Sequence, residues 1–508
     1  MKIRFVSFLI VILMIGLSAN AQPKFISDSL DAYITREMKR WQVPGLAIAI
    51  VKDGKTIVSK GYGVKAVNNP EKVDEFTLFQ IASNSKAFTG TAIAMLNEEK
   101  RIFLDEKVTT YLPWFKLHNS AYTDMCTVKD LLCHRIGLQT FQGDFLNWGS
   151  TLSRKQIIEK LALTPEKYPF RYTYGYCNAA FITAGELISE ITDTTWDDFL
   201  LYRFFKPLGM VHTNTKHQLM LKDKNACSPH TLVKNKLTTI PLVNIDNMGA
   251  SAAVQSCVAD MSKWLLVQLN NGNYNGVQVV SEKALQETRK SATIVSDANG
   301  GLFKSRHFIT YGLGWRSYDY EGKRVYEHSG GANGFVTKTE YIPEEKLGVI
   351  VYTNTDANSL YDALCKQVIE AYINVPYRNL SEIYSQSAEK KRIAEQKQQA
   401  EMDVLLAQKN KPNQPLAEYA GEYTNSFYGK AWIKNENGQL NLYFENHPQN
   451  IGIIQHVKDG KFICTFSDIT CGVEPLSFTI KENKVTGVTI KVADFIDYLS
   501  YDFSKVTK

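Results

Sequence analysis

The order of strand-like and helix-like segments between Lys24 and about residue 376 constrains the fold more than any other feature. Residues 46–64 form two β-rich runs around the turn Asp53-Gly54, which predicts a hairpin. Residues 101–295 read mainly as helices, with apolar residues three and four apart. Strand-like runs return in residues 311–356, with turns at Glu321-Gly322 and at 343–346.

This order has a simple spatial solution. The two ends build one antiparallel sheet with helices on its faces, and the middle forms an all-helical lobe inserted between them. The sequence therefore predicts an α/β fold class for residues 22–378, with the lobe at about 101–295. A cleft between lobe and sheet is the expected ligand site.

Two further segments follow. Residues 379–414 are rich in charged helix formers and lack glycine, which predicts a solvated helical linker. Residues 415–508 alternate short strand-like runs with turns, which is typical of a small all-β barrel or sandwich.

Residues 1–21 have the three parts of a signal peptide: the basic start MKIR, an apolar run from Phe5 to Leu17, and the small-residue site Ala19-Asn20-Ala21. The apolar run is shorter than the roughly 20 residues that span a bilayer. We expect cleavage and a secreted or periplasmic chain without stable membrane insertion. An uncleaved N-terminal anchor is the alternative.

Composition excludes some functions. A formal net charge of +6 over 508 residues gives no basis for nucleic-acid binding. The nine histidines are scattered singly, and neither C-x-x-C nor H-E-x-x-H occurs, so no metal and no other cofactor is predicted. Among the eight cysteines, Cys126 with Cys133 or Cys464 with Cys471 are candidate disulfides, and the alternative is that most are small buried residues.

The stretch FQIASNSKAFTG, residues 79–90, holds two serines and one lysine. On a helix, Ser83 and Lys86 are three apart and share a face, whereas the adjacent Ser85 and Lys86 do not. A serine needs a neighbouring base to become a nucleophile, and a lysine becomes a base when burial lowers its pKa. The spacing predicts that Lys86 activates Ser83. Alone it is weak evidence, because it recurs at Ser387–Lys390 in the linker.

Two more motifs follow in order: Tyr176-Cys177-Asn178 fits Y-x-N, and His328-Ser329-Gly330-Gly331 ends a predicted strand. This ordered set resembles the penicillin-recognising serine hydrolases, which include class C β-lactamases, D-alanyl-D-alanine carboxypeptidases and esterases. The flanking segments FKPLGM, YGLGW, GASAAVQSCVADMSKWL and LLCHRIGL are also similar to family sequence. The resemblance covers roughly residues 30–375.

The resemblance implies a role for each matched residue. Ser83 is the acylated nucleophile, Lys86 is its activating amine, and Tyr176 is a second proton-transfer group. Asn178 is expected to hydrogen-bond the amide of the substrate.

The strand motif completes the implied site. The backbone N–H groups of Ser83 and Gly331 are expected to form an oxyanion hole. His328 is expected to contact the substrate carboxylate or the tyrosine, and Gly330 and Gly331 to let a substrate lie flat on the strand.

Three departures from the family pattern stand out. Cys177 replaces a polar residue, and His134–Gly137 reads HRIG. His328 replaces the lysine of true β-lactamases, so we expect weaker anchoring of a β-lactam carboxylate and rank efficient β-lactamase activity below peptidase or esterase activity.

The leading hypothesis is an exported serine hydrolase that cleaves amides or esters through a Ser83 acyl-enzyme, with peptides containing D-amino acids as candidate substrates. The alternatives are a penicillin-binding-type sensor or inactive relative that acylates without turnover, and a weak β-lactamase. Residues 415–508 resemble the lipocalin-like barrel of some family members. That barrel would restrict access to the cleft or mediate homo-oligomerisation, or it would only stabilise the chain.

Overall fold

The computed structural model describes residues 22–297, 301–408 and 410–507, so the predicted signal peptide lies outside the described residues. The chain forms a catalytic unit and a C-terminal barrel, and the helix Leu380–Ala407 joins them. Every helix within the described ranges is too short or too polar to span a bilayer.

The catalytic unit is organised around one antiparallel sheet. Gly45–Lys52, near the start of the chain, pairs with Leu347–Thr353 on one side and with Lys55–Ala66 on the other. This confirms that the two ends of the unit meet in one sheet. Within the described residues its nine strands, in spatial order, are Thr293–Asp297, Phe308–Tyr311, Arg316–Tyr320, Lys323–Ala332, Phe335–Ile342, Leu347–Thr353, Gly45–Lys52, Lys55–Ala66 and Asn69–Lys72.

Both faces of this sheet are covered. Along Gly45–Lys52, the residues Leu46, Ile48 and Ile50 join the core formed with the helices Leu30–Trp41 and Leu360–Tyr372. The alternate residues Ala47, Ala49 and Val51 join the larger core on the lobe side. Successive side chains of a strand point to opposite faces, so a continuously apolar strand needs cover on both sides.

Residues 101–295 are mainly helical, as predicted, but short strands occur among the helices. His230–Val233 and Lys236–Thr239 form a hairpin, because Lys234 and Asn235 both adopt positive φ (47° and 64°), as a two-residue turn requires. The edge strand Thr293–Asp297 also begins before the predicted end of the lobe. The helices described between residues 101 and 295 are Val108–Tyr111, Ser120–Met125, Val128–Leu132, Asp144–Asn147, Arg154–Glu159, Asn178–Thr192, Trp196–Leu200, His217–Lys222, Val258–Leu269 and Glu282–Arg289, with shorter 3₁₀ and π segments.

The C-terminal unit is a closed barrel, as predicted. It closes because the first strand, Gly421–Asn425, pairs with the last, Ser500–Lys505. In chain order the eight strands of its described residues are Gly421–Asn425, Gly429–Glu436, Gln439–Phe444, Gly452–Lys458, Lys461–Phe466, Val473–Lys481, Lys484–Lys491 and Ser500–Lys505.

The cysteines do not cross-link the chain. All eight lie in the described residues, and all are buried and free. Neither Cys126 with Cys133 nor Cys464 with Cys471 forms a disulfide, so these residues act as small apolar packing groups.

Candidate active site

A cavity of about 560 Å³ lies where the sheet, the lobe and the barrel meet. We call it the catalytic cavity. Ser83, Tyr176, Asn178, His328 and Gly331 from the sequence-predicted set line it. Its other side is formed by residues 492–499 of the barrel, which we call the roof loop and which contribute Asp494, Phe495, Ile496 and Tyr498. Access to the predicted nucleophile is therefore shaped by both units.

Ser83 lies in a 3₁₀ turn, Ala82–Asn84, that leads directly into the helix Ser85–Glu98. Ala82 has a φ of +46°, an unusual value for a residue with a side chain. Ser85 stabilises this turn: its hydroxyl donates to the Ala82 carbonyl (2.7 Å) and accepts from the Val254 N–H (3.0 Å). Ser85 is fully buried, whereas Ser83 faces the cavity. Ser85 thus stabilises the turn, whereas Ser83 is accessible to a ligand in the cavity.

Lys86 lies one helical turn from Ser83. Its Nζ is 3.1 Å from Ser83 Oγ, 2.6 Å from Asn178 Oδ1 and 2.8 Å from the Ser251 carbonyl oxygen. A neutral amine donates to the last two oxygens and keeps its lone pair for the Ser83 hydroxyl. The geometry therefore allows Lys86 to take the Ser83 proton directly.

The surroundings of Lys86 favour the neutral amine. Burial lowers its pKa well below the ordinary value of a lysine, and the positive charge of Arg316 acts in the same direction. The negative charge of Asp144 opposes this shift. Burial disfavours the charged form of any ionisable group, and a lysine with a lowered pKa is suited to act as a general base.

Tyr176 is held beside these two residues by the loop that precedes the helix Asn178–Thr192. Its ring centroid is 4.6 Å from the Lys86 Nζ, and Ser83 lines the same cavity. Burial raises the pKa of Tyr176 far above the usual range, and the nearby Ser83 side chain opposes that shift. Tyr176 is therefore a neutral phenol, a proton donor rather than the primary base.

His134, from the HRIG segment, positions this loop. Its Nδ1 accepts from the Cys177 N–H at 3.0 Å, and its ring packs on Tyr176 with 4.3 Å between centroids. Burial lowers the pKa of His134 well below its ordinary value, so the ring is neutral. The HRIG segment was recognised from the sequence as a departure from the family pattern, but no role was predicted for His134.

Asn178 connects the lysine to a buried carboxylate that sequence analysis missed. Asn178 Oδ1 faces Lys86, while its Nδ2 donates to Asp144 Oδ2 at 2.6 Å. Burial, together with the nearby charge of Asp497, raises the pKa of Asp144 to about 7, against the opposing effects of Asn178 and Lys86. Asp144 thus fixes the orientation of the amide, in addition to any contact Asn178 makes with substrate.

Gly330 and Gly331 lie at the end of the strand Lys323–Ala332. A Cβ on Gly330 would stand 2.0 Å from the Ile81 carbonyl oxygen, so this glycine lets the strand approach the turn that carries Ser83. A Cβ on Gly331 would stand 3.3 Å from the Phe495 ring of the roof loop. The neighbouring strand Arg316–Tyr320 pairs with this strand only as far as Glu327, which leaves the edge at Gly331 free to face the cavity among the described strands.

His328 is present in the cavity but both ring nitrogens have partners. Nδ1 donates to the Ser329 carbonyl (2.7 Å), and Nε2 accepts from the Tyr311 hydroxyl (2.9 Å). Burial, with the charges of Lys86 and Arg316, lowers the pKa of His328 to about 3. His328 therefore carries no positive charge at neutral pH.

The cation of this site is Arg316, which sequence analysis also missed although it directly follows YGLGW. It lines the cavity and keeps about a third of its side chain exposed (33%). Its protein partners are distant: the Tyr174 hydroxyl at 3.4 Å and Glu327 at 3.9 Å. A guanidinium held loosely in this way is available to an anionic group of a ligand.

The barrel makes hydrogen bonds and an aromatic contact with the segment that carries Asp144. The Gly143 N–H donates to Asp497 Oδ2 (3.0 Å) and to the Tyr501 hydroxyl oxygen (2.8 Å). Phe145 stacks on His447 of the barrel, with 4.5 Å between ring centroids and an interplanar angle of 6°. The position of Asp144 therefore depends on contacts from the barrel.

The chain is similar to known proteins over most of its length. Residues 30–372 match the family model described as Beta-lactamase, and residues 407–505 match a domain of unknown function, DUF3471. The Unguisins hydrolase ungD of Aspergillus violaceofuscus is 28% identical over 447 residues, covering 79% of this chain and 76% of that protein. Protein flp of Staphylococcus aureus is 26% identical over 340 residues, which are 65% of this chain and 63% of flp.

Solved structures share the whole arrangement. The octameric penicillin-binding protein homologue from Pyrococcus abyssi superposes with a TM-score of 0.60 at 20% identity, over 94% of this chain and 99% of that one. SurE superposes with a TM-score of 0.57 at 16% identity, over 94% and 98%. At these identities the likeness shows the fold alone. Since the family model covers the sheet, the lobe and all three motifs, the chain belongs to the beta-lactamase family of penicillin-recognising serine hydrolases.

Proposed function

We propose that this chain cleaves amide or ester bonds through a covalent acyl-enzyme on Ser83. The observation that carries the proposal is the 3.1 Å contact between Lys86 Nζ and Ser83 Oγ, in surroundings that lower the pKa of the lysine. A nucleophile with an adjacent buried base is the arrangement that acyl transfer requires.

In acylation, Ser83 Oγ attacks the substrate carbonyl carbon while its proton passes to Lys86 Nζ. The N–H groups of Ser83 and Gly331 are proposed to hold the developing oxyanion, an effect of about 10²–10³ in rate per donor. The tetrahedral intermediate collapses, the bond to the leaving group breaks, and a proton reaches the leaving amine or alcohol through the Tyr176 hydroxyl. Water then attacks the ester carbonyl carbon and gives a proton to Lys86 Nζ. The bond between that carbon and Ser83 Oγ breaks, Oγ takes the proton back from Lys86, and the carboxylic acid product leaves.

The substrate class that fits best is a peptide with a free carboxylate. Arg316 supplies a cation in the cavity, whereas the neutral His328 cannot. Aromatic side chains of Phe141, Trp148 and Phe495 line the opposite walls. One similar protein is named an Unguisins hydrolase, which supports hydrolysis, and one similar structure is titled SurE with D-Leu, which supports D-amino acids as candidates.

Time-resolved intact mass of the protein tests this proposal. Wild type is mixed separately with a chromogenic ester, a β-lactam and a peptide ending in D-Ala-D-Ala. We expect a transient adduct on Ser83 that decays as product forms, and no adduct in Ser83→Ala. A permanent adduct with every substrate would instead support a sensor that acylates without turnover, and no Ser83 adduct with any of them would contradict the proposal.

Export and self-association are also proposals. The apolar leader of residues 1–21 supports export, and the mass of the mature chain isolated from its native source checks cleavage after Ala21. A closed barrel offers a surface for homo-oligomerisation, and the similar Pyrococcus abyssi structure is titled octameric. Light scattering of the purified chain measures this directly.

A further inference from the structure

A second cavity, of about 500 Å³, lies at the seam between the catalytic unit and the barrel. We call it the side cavity. Trp148 and Ile496 line both the side cavity and the catalytic cavity, so the two spaces are neighbours with shared walls. Its other apolar walls come from both units and include Phe145, Ile240, Leu242, Val243 and Ile469.

The chemistry of the side cavity does not suit a charged ligand. Among the described residues that line it, Asp468 is the one carboxylate, and its Oδ1 already accepts from the N–H and, at 2.6 Å, from the hydroxyl of Thr470. His447 is neutral, because burial lowers its pKa to about 4, and its Nε2 hydrogen-bonds the Trp148 carbonyl at 3.1 Å. Asp468 and His447 therefore already have protein partners, and apolar side chains supply much of the remaining lining.

The shared wall is held in place. Trp148 Nε1 donates to Asn333 Oδ1 at 2.7 Å, and Asn333 Nδ2 donates to Thr470 Oγ1 of the barrel at 2.7 Å. Asn333 lies in the turn directly after the strand that carries Gly330 and Gly331. The orientation of the Trp148 ring between the two cavities is thus fixed by both units.

A simple packing defect does not account for this space. It exceeds by more than tenfold the roughly 30 Å³ that one water occupies in the liquid. It falls in the range of about 300–1,000 Å³ found for ligand pockets, which are lined mainly by apolar groups with a few placed polar ones. Because it shares Trp148 and Ile496 with the cavity that holds the predicted nucleophile, a substrate is its natural occupant.

We propose that the side cavity is a subsite for an uncharged apolar chain of the substrate, an acyl chain or an apolar side chain, that extends past Trp148 from the bond held at Ser83. This inference rests on the proposed hydrolase function and narrows its substrate class. Each methylene that leaves water is expected to raise kcat/KM by up to about fourfold. Substrates with a long apolar chain are therefore preferred over those with a short one.

The test places a bulky side chain in the side cavity by a substitution in the barrel. Ile469 lines it and is 43% exposed, so Ile469→Trp adds bulk without overpacking a core. The matched control is Ile480→Trp, at an isoleucine of the same barrel that is 41% exposed and lies outside the lining of either cavity. The substrates are p-nitrophenyl esters from acetate to octanoate, and kcat/KM is measured for each.

We expect wild type and Ile480→Trp to share the same preference for octanoate over acetate, and Ile469→Trp to lower that ratio at least tenfold. An unchanged ratio in Ile469→Trp would overturn the subsite. A binding measurement that needs no turnover keeps the two proposals separate. Ser83→Ala is titrated calorimetrically with octanamide and with acetamide, and we expect it to bind octanamide alone. The double variant Ser83→Ala/Ile469→Trp is expected to bind neither.

The two failures are distinguishable. If no ester is hydrolysed at Ser83 but octanamide binds and Ile469→Trp abolishes the binding, the hydrolase proposal fails and the subsite stands. If esters are hydrolysed at Ser83 and neither the chain-length ratio nor octanamide binding responds to Ile469→Trp, the subsite fails and the hydrolase proposal stands.

Discussion

The two sides of the catalytic cavity are built in different ways. The floor, formed by Ser83, Lys86, Asn178 and Asp144, is a chain of hydrogen bonds of 2.6–3.1 Å among buried groups. The roof loop meets it through side chains such as Phe495, which is 41% exposed and lies against Gly331. Directional contacts among buried polar groups fix positions closely, whereas apolar contacts define a shape. We infer that the floor decides the chemistry and the roof decides which substrates reach it.

The largest effect that this comparison predicts is at the nucleophile. Ser83→Ala is expected to reduce kcat by at least about 10⁴-fold and to abolish labelling by a serine-reactive phosphonate. The matched control, Ser85→Ala, keeps the label but loses about 1–3 kcal/mol of unfolding free energy, because the Val254 N–H is left buried without its partner. Denaturant unfolding measures the loss of unfolding free energy, and intact mass measures the phosphonate labelling. If Ser83→Ala is still labelled, Ser83 is not the nucleophile, and the claim that the floor decides the chemistry is wrong.

The second effect concerns Arg316, the cation that lines the catalytic cavity beside the floor. Arg316→Gln is expected to lower kcat/KM about 10–100-fold for peptides with a free C-terminal carboxylate, because a charge-assisted contact is lost. The same peptides amidated at the C-terminus should lose far less. Steady-state kinetics on the matched pair give the ratio. Equal losses for both peptides would show that Arg316 acts only through the structure of the site.

The third effect is a shift with pH. Asp144→Asn removes a negative charge that favours the ammonium form of Lys86, so the pKa of the lysine falls further. Because the neutral amine is the active base, the acidic limb of kcat/KM should move to lower pH, by about one unit. Asp494→Asn, which neutralises an exposed carboxylate of the roof loop, is the control and should leave the limb in place. A shift to higher pH would contradict the assignment of Lys86 as base.

The smallest effect is expected in the roof. Phe495→Ala removes an aromatic wall above Gly331 but no polar partner of the floor. We expect kcat for a small ester to change less than about twofold, while kcat/KM for bulky peptides changes severalfold in favour of larger side chains. A uniform loss across all substrates would mean that the roof supports the chemistry and would weaken the comparison.

Sequence indicated the floor better than the roof, for a physical reason. Ser83 and Lys86 are three residues apart because one helical turn must bring a hydroxyl to an amine, and such spacing is visible in a sequence. The antiparallel sheet and the barrel were also predicted, since period-two alternation and turn residues mark strands. Asp144 and Arg316 carry no such spacing, because long-range folding alone brings them to the cavity.

The remaining differences have local causes. Gly330 was expected to make room for substrate, yet its first requirement is the close approach of the Ile81 carbonyl. His328 was expected to contact a substrate carboxylate or Tyr176, and within the chain its ring nitrogens pair with Tyr311 and Ser329. The contacts with the Ile81 carbonyl and the Tyr311 hydroxyl join residues that are far apart in sequence, so they cannot be read from a motif.

The free cysteines have a practical consequence. Burial raises the pKa of all eight thiols, so the reactive thiolate is scarce in the folded chain. Alkylating probes will therefore distinguish an introduced surface cysteine from every native one. Tyr172→Cys on the lobe and Ile480→Cys on the barrel, at side chains 80% and 41% exposed, offer a pair of sites for spin or dye labels in an otherwise wild-type background. The separation between the two units then becomes a spectroscopic observable, with and without a bound ligand.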